Sequence, residues 1–118
     1  MKKFLAVYVG TAGATEKARW NEMPEDERND IEARGMQSWM AWGQAHEGAI
    51  LDGGSPLGST KRVGPDGVTD TSNTMAGYVI VAAESHEAAA AMFENHPHFA
   101  IFPGDSVEVM ECLPLPGR

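Results

Sequence analysis

The sequence predicts an α+β sandwich of order βαββαβ, and three observations carry that reading. Phe4 to Val9 and Gly77 to Ala82 are runs of apolar, β-branched and aromatic residues with the character of strands. A helical pattern follows each: a long amphipathic one opening at Pro24-Glu25-Asp26-Glu27, and an alanine-rich one opening at Ser85. A further strand pattern follows each helix, at Ala49 to Asp52 and at Val107 to Cys112. Two strand–helix–strand units in succession place two helices on one face of a four-stranded antiparallel sheet, the ferredoxin-like arrangement.

Each element has a local reason. Gly10 ends the first strand, and the polar stretch from Thr11 to Met23 predicts a short helical turn around Thr15 to Trp20. Proline is tolerated in a first helical turn, and the acidic triplet after Pro24 suits the positive end of the helix dipole. From there Ile31, Gly35, Trp39, Trp42 and His46 recur at intervals of three or four, with Met36, Met40 and Gly43 beside them, on a helix that ends near Gly48. Gly53-Gly54-Ser55-Pro56 closes the short second strand. Lys61-Arg62-Val63 and Val68-Thr69 flank the turn Gly64-Pro65-Asp66-Gly67, which predicts a protruding hairpin outside the βαββαβ order. The run Gly77 to Ala82 is apolar on both faces, so it predicts a strand buried on both sides. Ser85 caps a helix from His86 to Asn95, whose four consecutive alanines allow close approach to a sheet. Asn95 to Gly104 is the crossover into the last strand, and 113–118 is a proline-rich tail that cannot extend a helix.

One sheet face is covered by helices in this order, and the other still carries apolar residues. A second copy of the sheet is the simplest cover, so the sequence predicts a twofold homodimer through the sheet face.

Composition narrows the function classes. A chain of 118 residues is long enough for a single domain, 1–118, with a sizeable core. A net charge of −8, from 17 acidic and 9 basic residues, opposes nucleic-acid binding, and no basic patch with interleaved aromatics offsets it. The lone Cys112 excludes an intrachain disulfide framework and fits a reducing, cytoplasmic setting. No apolar run is long enough to span a bilayer, and the basic, apolar start Met1 to Val9 reads as a strand rather than a leader. No organic cofactor motif is present: Gly53-Gly54 lacks the spacing of a phosphate-binding loop.

The residues able to do chemistry cluster near the strand ends. His96 and His98 flank Pro97; in extended chain both rings point to one side, where they would contact a substrate, move a proton or join a metal site, or one would cap the preceding helix. Asp52, before two glycines, would take a proton from a hydroxyl or orient an imidazole; equally, it would bond the following amides as a turn residue. Trp39 and Trp42, three apart, either cover the sheet or line a flat pocket for an aromatic ligand. His46 reaches the same pocket or sits at its helix end. Tyr78 needs a hydroxyl partner on a buried strand, which a ligand or a dimer mate would supply. Lys61 and Arg62 would anchor an acidic substrate or blunt a hairpin edge.

Four stretches resemble one family. Lys3-Phe4-Leu5-Ala6-Val7-Tyr8 opens the chain, and Trp39-Met40-Ala41-Trp42-Gly43 runs into Ile50-Leu51-Asp52-Gly53-Gly54-Ser55-Pro56-Leu57-Gly58. Gly77-Tyr78-Val79-Ile80-Val81 precedes the alanine-rich helix, and His96-Pro97 is followed by Gly104 and Val107-Glu108-Val109. Over nearly its whole length the chain resembles the YCII-related (DGPF-like) family of small dimeric α/β-barrel proteins. Two departures stand out: Val68-Thr69-Asp70-Thr71-Ser72-Asn73 keeps only the aspartate of the DGPF motif, and Gln37 falls where some members carry a first-helix histidine. The resemblance implies a dimeric barrel and a protein acting on a small, hydroxylated or aromatic molecule. Two functional expectations result. One is an enzyme using Asp52 and His98 for proton transfer, with Trp42, Tyr78 and His96 contacting substrate. The other is a non-catalytic dimeric module that binds a small ligand or a partner protein.

Overall fold

A computed structural model describes residues 1–117; Arg118, the last residue of the tail, lies outside the described residues. The order is β1 (Lys2–Val9), α1 (Ala12–Lys17), a single 3-10 turn (Trp20–Glu22), α2 (Glu25–Ala45), β2 (Ile50–Pro56), β3 (Thr60–Gly64), β4 (Gly67–Thr71), β5 (Met75–Ala83), α3 (His86–Ala91), α4 (Pro97–Ala100) and β6 (Ser106–Glu111). Four strands form one antiparallel sheet in the order β2-β5-β1-β6, which is the ferredoxin-like arrangement; β3 and β4 pair separately as the expected hairpin. The sheet is open within the single chain, so the barrel that the resemblance implied is not closed by this chain.

The core follows from strand alternation. Phe4, Ala6 and Tyr8 on β1 pair with Val81, Val79 and Gly77 on β5, so these residues share the face covered by the helices. Phe4, Ala6, Tyr8, Val79, Val81 and Ala83 are buried there with Ala89 and Phe93, and Trp39 and Trp42 of α2 pack on them. The opposite face carries Leu5, Val7, Tyr78, Ile80 and Met110 by the same registers. β5 was expected to be buried on both sides; it is buried only on the helix-covered face, with Tyr78, Ile80 and Ala82 half-buried on the other, which no helix of the chain covers.

α2 is 21 residues long with Glu25, Asp26 and Glu27 in its first turn, as its start signal predicts. Its buried stripe is narrower than the spacing suggested. Only Gly35 is buried, while Met36 and Met40 are exposed. Trp42 fixes the helix laterally, its indole Nε1 donating to the Met92 carbonyl at 2.7 Å.

Three elements differ from expectation. β2 runs on through Gly53 and Gly54 to Pro56: its register against β5 shifts at Leu51 and again between Asp52 and Ser55, where a bulge absorbs the glycines. Gly54 takes φ 70, and a Cβ there would overlap the Tyr78 carbonyl, so only glycine fits that close approach. α3 ends at Ala91 rather than Asn95: Asn95 adopts φ 57, and Pro97 disfavours helical backbone at His96. Finally, the crossover is not extended. Pro97 occupies the first position of the one-turn helix α4.

Candidate functional site

Beside α2, where β1 ends and β5 begins, lies a cavity of about 350 Å³. Tyr8 of β1, Met36 and Trp39 of α2, the Gly53–Pro56 bulge of β2, the start of β5 at 76–78, and His98 and Phe102 from the crossover enclose it. No lysine, arginine, aspartate or glutamate lines it. A pocket walled by aromatic rings with a few polar atoms suits an uncharged small molecule.

The local sequence explains how the rings arrive. Tyr8 shares the inward parity of Phe4 and Ala6, so it extends the core stripe to the cavity. Its ring lies 4.8 Å from Trp39, 5.1 Å from His96 and 5.3 Å from His98, centroid to centroid. Phe102 rests against Gly35: a Cβ on that glycine would run into the Phe102 ring. Gly104 plays the matching part for His98, whose carbonyl and imidazole occupy the space a side chain there would need.

The hydrogen bonds assign both imidazoles. His96 is fully buried at 0% exposure and caps α4, its Nδ1 accepting from the His98 amide at 3.0 Å. An Nδ1 that accepts carries no proton, so in the neutral ring the proton is on Nε2, which lies 3.5 Å from the Tyr8 hydroxyl. The ring stays neutral: burial, then the charges of His98 and His46, lower its pKa to about 4. Burial also raises the Tyr8 phenol above its ordinary value, which keeps its proton on.

His98 is the complementary case. Its Nε2 lies 2.8 Å from the Val9 carbonyl, which can only accept, so Nε2 carries the proton. Nδ1 then holds a lone pair. It has no partner within the protein, and among the described residues every sealed side-chain nitrogen and oxygen has one, so His98 Nδ1 is open to solvent or ligand. The cavity thus has an imidazole of fixed tautomer and a phenol ring among its apolar walls.

The expected site residues separate into two groups. His98 and Tyr78 border the cavity; Tyr78 does so where its carbonyl lies against Gly54. His96, expected to touch substrate, lies behind Tyr8 instead and caps the helix that follows it, not the one before. Trp42, expected in the wall, is committed to Met92, and its neighbour Trp39 takes the wall position. Asp52 is exposed and accepts from the Gly54 amide at 2.8 Å, the turn role weighed for it. The structure does not bring Asp52 to His98; only the glycines after it reach the cavity. His46 lies beside Trp42, its ring tilted by 47° and the centroids 5.0 Å apart. Lys61 pairs with Asp70 across the exposed hairpin at 2.6 Å, away from the cavity. Among the described residues, no group of three or more His, Cys, Asp or Glu stands placed to hold a metal ion. No helix of the described residues is long and apolar enough to cross a membrane.

Sequence reasoning passed over Tyr8, Met36 and Phe102 as cavity residues. The signal for Tyr8 was present in its parity with Phe4 and Ala6. Phe102 had none, because its seat on Gly35 joins segments far apart in the chain.

No family model matches the sequence, and a search of curated proteins finds no match. Among solved structures, the chain is similar to 5-chloro-2-hydroxyhydroquinone dehydrochlorinase from Burkholderia phenoliruptrix AC1100, solved with 2,5-dihydroxybenzoquinone. That match has 20% identity and a TM-score of 0.49, covering 92% of this chain and 90% of that one.

Proposed function

We propose that the protein binds and acts on an uncharged, hydroxylated or aromatic small molecule in the cavity between Tyr8, Trp39 and Phe102. His98 is the proton acceptor. The observation that supports this most is the open Nδ1 lone pair of His98, on a ring whose Nε2–H is tied to the Val9 carbonyl at 2.8 Å. That bond fixes the tautomer and aims the acceptor. In the step proposed, a ligand hydroxyl gives its proton to Nδ1, leaving the oxyanion on the ligand and an imidazolium held by Val9. Asp52 takes no part in this reading, because its carboxylate is occupied in the Gly54 turn.

The YCII-related resemblance belongs to the same proposal, as does a homodimer through the sheet face bearing Leu5, Val7, Ile80 and Met110. Sedimentation equilibrium of wild type against Ile80→Lys tests the dimer: the variant is expected to be monomeric, and an unchanged mass places the contact elsewhere.

One observation favours the non-catalytic alternative. His98 is oriented by a neutral carbonyl and not by a carboxylate, so less charge stabilises an imidazolium there. A thermal-shift screen of hydroxylated aromatics, with each hit followed for conversion by NMR, separates the two. Stabilisation with conversion, lost in His98→Gln, supports the enzyme. Stabilisation without conversion supports a binding module. Absence of any stabilising compound contradicts both.

A further inference from the structure

We propose that His96 is a positioning residue that holds the Tyr8 hydroxyl as a hydrogen-bond donor toward the cavity, so that the site takes a carbonyl compound whose oxygen accepts from Tyr8. This rests on the reading of the cavity as a ligand site and names the ligand's second functional group.

The donors and acceptors here form one connected chain. The His98 amide donates to His96 Nδ1 at 3.0 Å. His96 therefore presents Nε2–H, and among the described residues its side-chain partner is the Tyr8 oxygen at 3.5 Å. A hydroxyl that accepts still has one proton to donate, and among the described residues no acceptor takes it. Tyr8 lines the cavity, and in this proposal its unspent donor turns toward the ligand there. Buried donors without a partner are costly, which makes a ligand oxygen the natural complement. A carbonyl satisfies that donor without bringing a charge into a wall that has none. The two imidazoles thus divide the work: His98 offers a lone pair directly, and His96 sets the polarity of Tyr8.

The test uses two neutral probes of similar shape, acetophenone and ethylbenzene, of which only the first has a carbonyl. Binding is followed by the fluorescence of Trp39 and its neighbours in wild type, Tyr8→Phe, His96→Asn and the double variant. Asparagine keeps an N-cap acceptor for the His98 amide but is too short to reach Tyr8. Each single variant is expected to weaken acetophenone binding about fivefold, the size of one net hydrogen bond. Ethylbenzene binding is expected to stay within twofold, and the double variant to match Tyr8→Phe alone, since His96 acts only through that hydroxyl. Equal effects on both probes, additive effects, or no effect on acetophenone overturn the positioning role while leaving the cavity a ligand site. Failure of both probes to bind wild type overturns the cavity reading and this inference together. A measurement on wild type alone guards against misfolded variants. Long-range 1H–15N spectra are expected to show His96 protonated at Nε2 and bare at Nδ1; the opposite tautomer overturns the proposal.

Discussion

Replacing Gly35 with alanine separates the helix from the cavity it supports. Gly35 is the buried position of α2, and the Phe102 ring lies where an added Cβ would sit. Two contributions oppose each other. Alanine in a helix interior is favoured over glycine by about 1 kcal/mol. Overpacking against a seated ring costs about 1–3 kcal/mol. Phe102 is only half-buried and borders a cavity of about 350 Å³, so the ring can swing into open space, which places the overpacking cost at the low end of that range. The expected net change in unfolding free energy is therefore a loss of about 0–1 kcal/mol, read from urea midpoints at constant slope. Ligand binding should suffer far more than stability, because the displaced ring fills part of the site. A Gly35→Ala protein that gains the full helix-propensity increment and binds ligand as wild type does would refute the Gly35–Phe102 seat and the cavity shape built on it.

Three further outcomes are expected. Stability should fall with pH in a way attributable to His96. Its folded pKa lies near 4, below the ordinary imidazole value of 6.5. Above pH 6.5 both states are neutral and there is no penalty; between 6.5 and 4 the unfolded chain binds the proton that the folded one refuses. That loss amounts to about 3 kcal/mol and should be absent in His96→Asn, as measured by chemical denaturation from pH 7 to 4. Gly104→Ala should displace His98, whose carbonyl and ring fill that space, destabilising the protein by about 1–3 kcal/mol and detaching Nε2 from Val9; a changed His98 15N spectrum reports it. Trp42→Phe should cost about 1 kcal/mol or more through the lost bond to the Met92 carbonyl, yet leave ligand affinity unchanged, since Trp42 does not border the cavity.

The elements that could be read from the sequence are those whose cause is local. The strand character of Phe4 to Val9, the acidic start of α2, the Ser85 cap and the Gly64–Gly67 turn each act within a few residues, and each appears where it was expected. The sheet order follows from them through the rules of connection. The site was less legible because its causes are long-range or conformational. Reading Asn95 to Gly104 as extended chain turned His96 and His98 to one side, whereas Pro97 begins a helical turn that sends one ring behind Tyr8 and the other to Val9. Nothing local distinguishes Trp39 from Trp42; their fates are decided by Tyr8 and by the Met92 carbonyl. Asp52 had two readings, and the φ 70 glycine after it decides for the turn.

The proposed function stands or falls with His98 Nδ1 as an acceptor open to a ligand in this cavity. Its most direct test is a titration of uniformly 15N-labelled protein with phenol, watching the histidine ring nitrogens. The His98 Nδ1 resonance is expected to move toward a hydrogen-bonded or protonated value, in step with binding, while His98 Nε2 keeps its bond to Val9. Saturable phenol binding that leaves His98 Nδ1 unmoved would contradict it.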